Sequence, residues 1–359
     1  MSVSRLSEEL VNAGHEIEVF TTTANGPQEL PVLPGETSFV DGVKVTYFKR
    51  LTGDHTHYSP DLFAAVRRQL KNFDIVHIHA WWNLVSLLAC RIVTKQNIPV
   101  VISPRGTLSD YSFSNKNSLT KKMIHSLLGK ALLSKSYLHV TSDREMQAME
   151  MLVQPRAVFN IPNFISFPEQ VTESHQSKGA PLKLIFFSRI DEKKGLELLF
   201  GALENLGIDY RLTIAGSGDG AYINRLKSLA EKNGISANLD WIGFRTDDKF
   251  DILQQHDLFV LPSYDENFGN AVIESLSVGT AALISNRVGL SRYIENNQLG
   301  WVCNQEVSSL REHLVAIAGN RHELQRIRKI APAIIRHDFN AKALVETYIA
   351  AYKKILANG

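Results

Sequence analysis

Several things are scarce in this sequence. Two cysteines, Cys90 and Cys303, occur in 359 residues. They lie far apart inside apolar segments, so neither a disulfide framework nor a thiolate zinc site is expected, and a reducing compartment is the default. No excess of one charge exists either. Lys and Arg number 39 against 37 Asp and Glu, leaving +2, which gives no footing to a dedicated nucleic-acid binder, whose basic surplus has to displace counterions from phosphates. No apolar run reaches the roughly 18–20 residues that span a bilayer. The opening Met1-Ser-Val-Ser-Arg-Leu-Ser-Glu-Glu-Leu carries acids where a signal peptide has a hydrophobic segment. A soluble, cytoplasmic protein is therefore expected.

What is present is ordinary globular material, 44% apolar and 21% charged, in a chain too long for one core. At about 150 residues per domain, two are expected. Short β-branched runs alternate with stretches of helical period, the mark of parallel sheets wrapped by helices. In the first half, strands are predicted at Glu16–Thr21, Val43–Phe48, Asp74–His79, Val100–Ser103, Tyr137–Thr141 and Val158–Ile161. Helical period lies between them at Asp61–Leu70, Leu84–Lys95 and Leu119–Leu133. Pro162–Leu182, with its polar centre Glu173-Ser-His-Gln-Ser-Lys-Gly, reads as a connection. Further strands follow at Leu184–Ser188, Arg211–Ala215, Leu239–Ile242, Leu258–Leu261, Ala281–Ile284 and Gly300–Val302. The domains expected are residues 1–165 and 166–340, with 341–359 a helix packing back on the N-terminal domain. One irregularity stands at the front. Val3, Leu6, Leu10 and Val11 have helical spacing and Gly14 closes that helix, whereas a doubly wound domain begins with a strand. The expected first strand and its phosphate-facing turn are missing, as from a late start codon or a truncation.

The densest chemistry lies between Leu258 and Ser285, where a strand runs into Pro262-Ser-Tyr-Asp-Glu-Asn-Phe-Gly-Asn-Ala-Val-Ile-Glu and a helix closing at Gly279. A helix starting near Asn267 puts Glu266 at its mouth and Glu274 about two turns on, on nearly the same face. The free N–H groups and partial positive charge of that mouth suit a phosphate. Gly269 lets a ligand approach the backbone, and carboxylates accept hydrogen bonds from sugar hydroxyls. Taken alone, each glutamate reads as well as a helix-dipole acid or part of a solvated face.

Phe187-Ser-Arg-Ile-Asp-Glu-Lys-Lys-Gly places Arg189 and Lys194 around a turn at a strand's carboxyl end. Open α/β sheets bind ligands there, and two cations suit a diphosphate. A solvated basic turn beside Asp191 and Glu192 is the plain alternative. Ala215-Gly-Ser-Gly-Asp-Gly sets Gly216 and Gly218 after a strand, but in the wrong spacing for a dinucleotide fingerprint. Phe244 and Arg245, ending Trp241-Ile-Gly-Phe-Arg, are placed to frame a flat base. In Val76-His-Ile-His-Ala-Trp-Trp, His77 and His79 share one face of a strand. No third ligand follows at a metal spacing, so no metal site is expected and a hydrogen-bonded core role is the plain reading.

In this order the motifs resemble the retaining glycosyltransferases of family four, the glycosyl transferases group 1. Ser-Arg-x-x-x-x-Lys-Gly, Ala-Gly-x-Gly and Pro-Ser-x-x-Glu-x-Phe-Gly-x-x-x-x-Glu follow one another as in that family. The resemblance implies an α/β fold of GT-B type, two facing Rossmann-like, doubly wound parallel-sheet domains with a C-terminal helix that crosses back. It assigns Arg189 and Lys194 to the donor diphosphate, Glu266 to hydroxyls of the donor sugar and Glu274 to the ribose. The backbone of Asn267, Phe268 and Gly269 would contact sugar and phosphate. Gly216 and Gly218 would line the nucleotide site, and Phe244, Arg245 and Asn270 complete the donor set. His79 and Trp82 match a segment facing the acceptor, and Arg105, in Ser103-Pro-Arg-Gly-Thr-Leu, stands where many relatives carry histidine. Arginine donates hydrogen bonds but is no base.

The implied reaction moves a hexose from a nucleotide sugar to a saccharide or lipid-linked saccharide, with retention of configuration, in cell-surface or extracellular polysaccharide synthesis. UDP is preferred as the family's commonest donor nucleotide, and glucose on the same footing. The UDP-sugar enters as substrate, with no cofactor and no metal, in keeping with the lack of an Asp-x-Asp motif. Rival readings are a nucleotide-sugar 2-epimerase of the same architecture, a nucleotide-sugar-binding protein without turnover, and a nicotinamide oxidoreductase, against which the glycine spacing speaks.

Between Asp110 and Asp143 stand five lysines, at 116, 121, 122, 130 and 135, and no acid. Leu119, Met123, Leu127, Leu128 and Leu132 form an apolar face. A core-packed helix with solvated lysines is favoured. The alternative is peripheral contact of the Lys116–Lys135 region with anionic lipid at the inner membrane face.

Overall fold

The computed structural model describes residues 2–26, 28–54, 56–114, 118–168 and 180–358. The predicted connection centred on Glu173 to Gly179 lies outside them. The chain divides into two compact units, Ile165–Asn340 and Met1–Phe164 joined by Ala341–Gly359.

The second unit is built on six parallel strands. Across the sheet they run Leu239–Gly243, Tyr210–Ala215, Leu182–Phe187, Leu258–Leu261, Ala281–Ser285 and Gly300–Cys303. By sequence the spatial order is therefore third, second, first, fourth, fifth, sixth. The central strands are continuous apolar runs because both faces are covered. Leu258, Phe259, Val260 and Leu261 are all buried, as are Ala281 to Ser285. Helices Leu196–Leu203, Asn270–Ser277 and Arg321–Asp338 fill the same core through Phe200, Val272, Ile273, Ile327 and Ile335. The chain reverses its direction of progress between Leu182–Phe187 and Leu258–Leu261. That switch point is where such sheets hold ligands, outside the carboxyl ends of the strands.

The first unit does not form one sheet. Val76–His79, Val100–Ser103, Tyr137–Val140 and Val158–Asn160 make a parallel four-stranded sheet. A separate three-stranded sheet pairs Glu18–Thr22 in parallel with Val43–Phe48, whose other edge takes Thr37–Val40 antiparallel. Strand Thr37–Val40, exposed along its whole length, gives no burial alternation to read. Helix Ser2–Asn12 precedes the first strand. Helix Asp143–Leu152, absent from the sequence reading, follows Tyr137–Val140 under the cap of Ser142.

The favoured reading of the lysine-rich segment fails. Leu132 and Leu133 are buried beside the four-stranded sheet, but Leu119, Met123, Leu127 and Leu128 face solvent. The physical cause is local. Helix Ser118–Ile124 passes through a π turn, His125–Gly129, into Lys130–Ser134. The extra residue per turn shifts the apolar stripe out of register with the buried one.

Helix Ala341–Ala357 packs on the first unit. Leu344, Val345, Tyr348 and Ala351 meet Leu6, Leu10, Ile161 and Phe164 in one cluster. A chain of polar contacts adds to it. Tyr352 Oη lies 2.7 Å from His77 Nδ1, whose Nε2 is 2.6 Å from Ser103 Oγ; that hydroxyl is 2.6 Å from His139 Nδ1. His139 Nε2 is 2.9 Å from Tyr348 Oη and 2.9 Å from the Ile161 carbonyl. Burial drives His139 down to about 4 and holds His77 and His79 well below the usual histidine value.

These histidines are stable as neutral rings, so the unfolded chain takes up their protons more readily. Stability from His139 is full above pH about 6.5 and drains as pH falls toward about 4. The loss expected from this one group is about 3 kcal/mol, read from urea midpoints measured between those two values, with His139→Gln flattening the profile.

Candidate active site

Two loops leave the strands that flank the switch point, and local rules fix both. In 188–195, Asp191 caps a single turn by accepting from Lys193 N at 3.0 Å, and Gly195 ends that turn with φ 71°. A Cβ on Gly195 would stand 2.3 Å from the Pro262 carbonyl oxygen, so only glycine lets the two loops touch. They are then bonded together. Tyr264 N donates to the Lys193 carbonyl at 2.8 Å, and Lys193 Nζ reaches the buried Asp265 carboxylate at 2.8 Å.

This clamp delivers Lys194 Nζ to Glu266 Oε2 in a short ion pair, with side chains only 12% and 19% exposed. Glu266 is held from behind as well, its N–H on the Arg287 carbonyl at 3.1 Å and its own carbonyl accepting from Gly289 N at 2.8 Å. Arg189, at the carboxyl end of Leu182–Phe187, is exposed and has no ion pair among the described residues.

The glycine pair has a packing reason. Cβ atoms on Gly216 and Gly218 would lie 1.9 and 2.0 Å from the carbonyl oxygens of Ser188 and Ile190. The turn after Tyr210–Ala215 thus lies backbone against backbone on the loop that carries Arg189.

The expectation that the helix starts near Asn267, with Glu266 at its mouth, is corrected. The helix begins at Asn270, after Gly269 at φ 94°, and Glu266 belongs to the extended segment before it. Glu274 lies in the helix and pairs with Lys249 Nζ at 2.7 Å. Lys249 was missed because Asp247-Asp248-Lys249 looks like a solvated turn; its fold position cannot be read from spacing. Phe268 turns its ring into the core against Phe339, 6.1 Å between centroids, leaving only backbone towards a ligand. Asn267 and Asn270 flank the helix mouth, half-buried. Phe244 is 71% exposed, and Arg245 beside it is ion-paired with Asp248.

The three first-unit residues form their own cluster. Arg105, with φ 52°, donates from Nε to His79 Nδ1 at 3.3 Å and from a terminal nitrogen to Asn163 Oδ1 at 3.1 Å. His79 stacks on His77 with centroids 4.2 Å apart. Trp82 Nε1 donates to the Thr107 carbonyl at 2.5 Å, and Glu145 accepts from Gly106 N at 2.8 Å. Together these hold the loop after Val100–Ser103. Sequence spacing gave no sign of Glu145, which is buried with its oxygens on backbone N–H groups of two loops. Among the described residues no group of three or more His, Cys, Asp or Glu is placed to hold a metal ion.

Two family models match, Glycosyltransferase Family 4 over residues 1–167 and Glycosyl transferases group 1 over residues 169–333. A putative colanic acid biosynthesis glycosyltransferase of Escherichia coli is 27% identical over 47% of this chain and 44% of its own length, so the chain spans less than half of that relative. An uncharacterized glycosyltransferase of Methanocaldococcus jannaschii is 25% identical over 85% of this chain and 81% of its own. Among solved structures, sucrose-phosphate synthase from Thermosynechococcus elongatus superposes with a TM-score of 0.78 at 17% identity, covering 99% of this chain and 93% of that one. HepE of Anabaena, in complex with UDP and glucose, gives 0.73 at 15% identity, covering 94% and 100%.

Gly216→Ala is expected to cost about 2 kcal/mol, because a methyl group inside a backbone contact has to push two loops apart; a urea melt of the whole chain measures it.

Proposed function

Because the chain belongs to the glycosyl transferases group 1, family four of the GT-B glycosyltransferases, we propose that it moves a hexose from a UDP-sugar to a saccharide or lipid-linked saccharide, with retention at the anomeric carbon. The setting is cell-surface or extracellular polysaccharide synthesis on the cytoplasmic side of a membrane. The observation that carries this reading is the Lys194–Glu266 pair at the switch point, next to the N-terminus of Asn270–Ser277.

A nucleotide sugar offers each of these groups a better partner. Its diphosphate draws Lys194 and the unpaired Arg189, and the sugar hydroxyls donate to the Glu266 carboxylate. Glu274, relieved by Lys249 when empty, takes the ribose hydroxyls, with Phe244 and Arg245 beside the base. Gly216 and Gly218, which let their turn lie against the loop that carries Arg189, line the nucleotide site. As the anomeric carbon–oxygen bond breaks, its electron pair goes to the leaving phosphate oxygen. The cations and helix amides act most strongly at that moment, because the charge they meet grows only then. The acceptor hydroxyl attacks from the same face and its proton passes to the leaving phosphate. Arg105, fixed by His79 and Asn163, orients the acceptor by donation and removes no proton. Glucose as the sugar is supported by the fold neighbour HepE, whose complex holds UDP and glucose.

Calorimetry with UDP and UDP-glucose tests the site, and NMR of the product anomer tests the stereochemistry. Lys194→Ala and Glu274→Ala are each expected to weaken UDP binding, and Lys194→Ala to slow turnover about a hundredfold or more. Full UDP affinity in both variants overturns the assignment. C2 inversion of the donor without acceptor points to the epimerase, and binding without consumption to a protein that only holds the nucleotide sugar.

A further inference from the structure

Along one segment of the first unit, four large apolar side chains stand in water side by side in the sequence pattern. On residues 118–134, Leu119, Met123, Leu127 and Leu128 are 81, 57, 71 and 42% exposed. Ile124, Leu132 and Leu133 anchor the same segment to the first unit's core. The outward row is thus held in place by packing rather than left on a loose strand of chain. Lys122, Lys130 and Lys135 are exposed around it, and Lys121 donates to the Ser112 carbonyl at 2.8 Å; Lys116 lies outside the described residues. From Asp110 to Asp143 the sequence has five lysines and no further acid, within a chain of net charge +2. The apolar row thus lies in a stretch whose formal charges are all positive.

That combination selects the occupant. A second copy of the chain would set lysines against lysines and gain no counter-charge. A bilayer of anionic lipid offers both halves of the match, negative headgroups outside and an apolar layer within 5–10 Å of them. No helix among the described residues is long and apolar enough to cross a membrane, so the contact is one of lying on the surface.

We propose that residues 118–134 seat the first unit on an anionic lipid surface, with Leu119, Met123 and Leu127 in the acyl boundary and Lys122, Lys130 and Lys135 on the headgroups. This surface uses none of the donor-site residues, so it stands whether or not the donor reading holds. Each lysine near the surface contributes about fivefold in affinity, and the apolar row the remainder.

Co-sedimentation of the whole chain with phosphatidylcholine vesicles, with and without phosphatidylglycerol, tests it. Binding is expected to the anionic vesicles, to fall with salt, and to drop at least about tenfold in Leu119→Glu/Leu127→Glu and in Lys122→Glu/Lys130→Glu. Far-ultraviolet circular dichroism and urea midpoints matching those of the parent chain show that both variants are folded, and UDP affinity measured in parallel, expected to be unchanged, separates this result from that of the donor site. Absence of pelleting with anionic vesicles overturns the proposal, as does pelleting that both variants retain. Self-association of the chain that the leucine variants abolish, without vesicle binding, assigns the face to a second copy and overturns it too.

Discussion

A lysine and a glutamate, each mostly withdrawn from water, hold one another across the switch point of the second sheet, and the surrounding chain is arranged to bring them there. Gly195 permits the approach, the Lys193 carbonyl and Tyr264 amide fix it, and the Lys193–Asp265 pair braces it from one side. Two half-buried charges satisfy each other at little net gain, but removing either strands the other at a cost of several kcal/mol. An incoming ligand therefore gains most when it supplies an anion and hydroxyls together, because it then replaces both partners. The Lys249–Glu274 pair repeats the device further along.

The second unit was largely legible in the sequence. Leu258 to Leu261 and Ala281 onward are unbroken apolar runs, and their limits came out within a residue or two because burial on both faces leaves no ambiguity of pattern. The chemical residues at the strand ends were legible as types, since a cation or glycine after a strand is a local feature. Their partners were not. Lys249 reaches Glu274 through the packing of one helix on the next, a relation with no fixed spacing. The start of helix Asn270–Ser277 was misplaced by three residues, because an extended stretch with one bridge to Val288 looks like a first turn when only composition is seen.

The first unit was harder for a physical reason. Its strands are short and split among three sheets, and Thr37–Val40 is exposed throughout. The lysine-rich helix was misjudged because a π turn is silent in a hydrophobic pattern, yet it decides which leucines face the core. The histidines of Val76–His79 were rightly seen to share a face, and the partners of His77, Ser103 and Tyr352, come from distant parts of the chain.

Helix Ala341–Ala357 belongs to the first unit although it is made after the second. During synthesis the second unit, a continuous stretch from Ile165 to Asn340, has all its residues available before the first has its final layer. Until the last turn of that helix clears the ribosome, Ile161 and Phe164 lack their cover and His77 and His139 lack their tyrosine partners. The half translated earliest is thus the half completed latest, and nascent chains halted near residue 340 would display an unfinished N-terminal half to chaperones and proteases beside a second unit already able to fold.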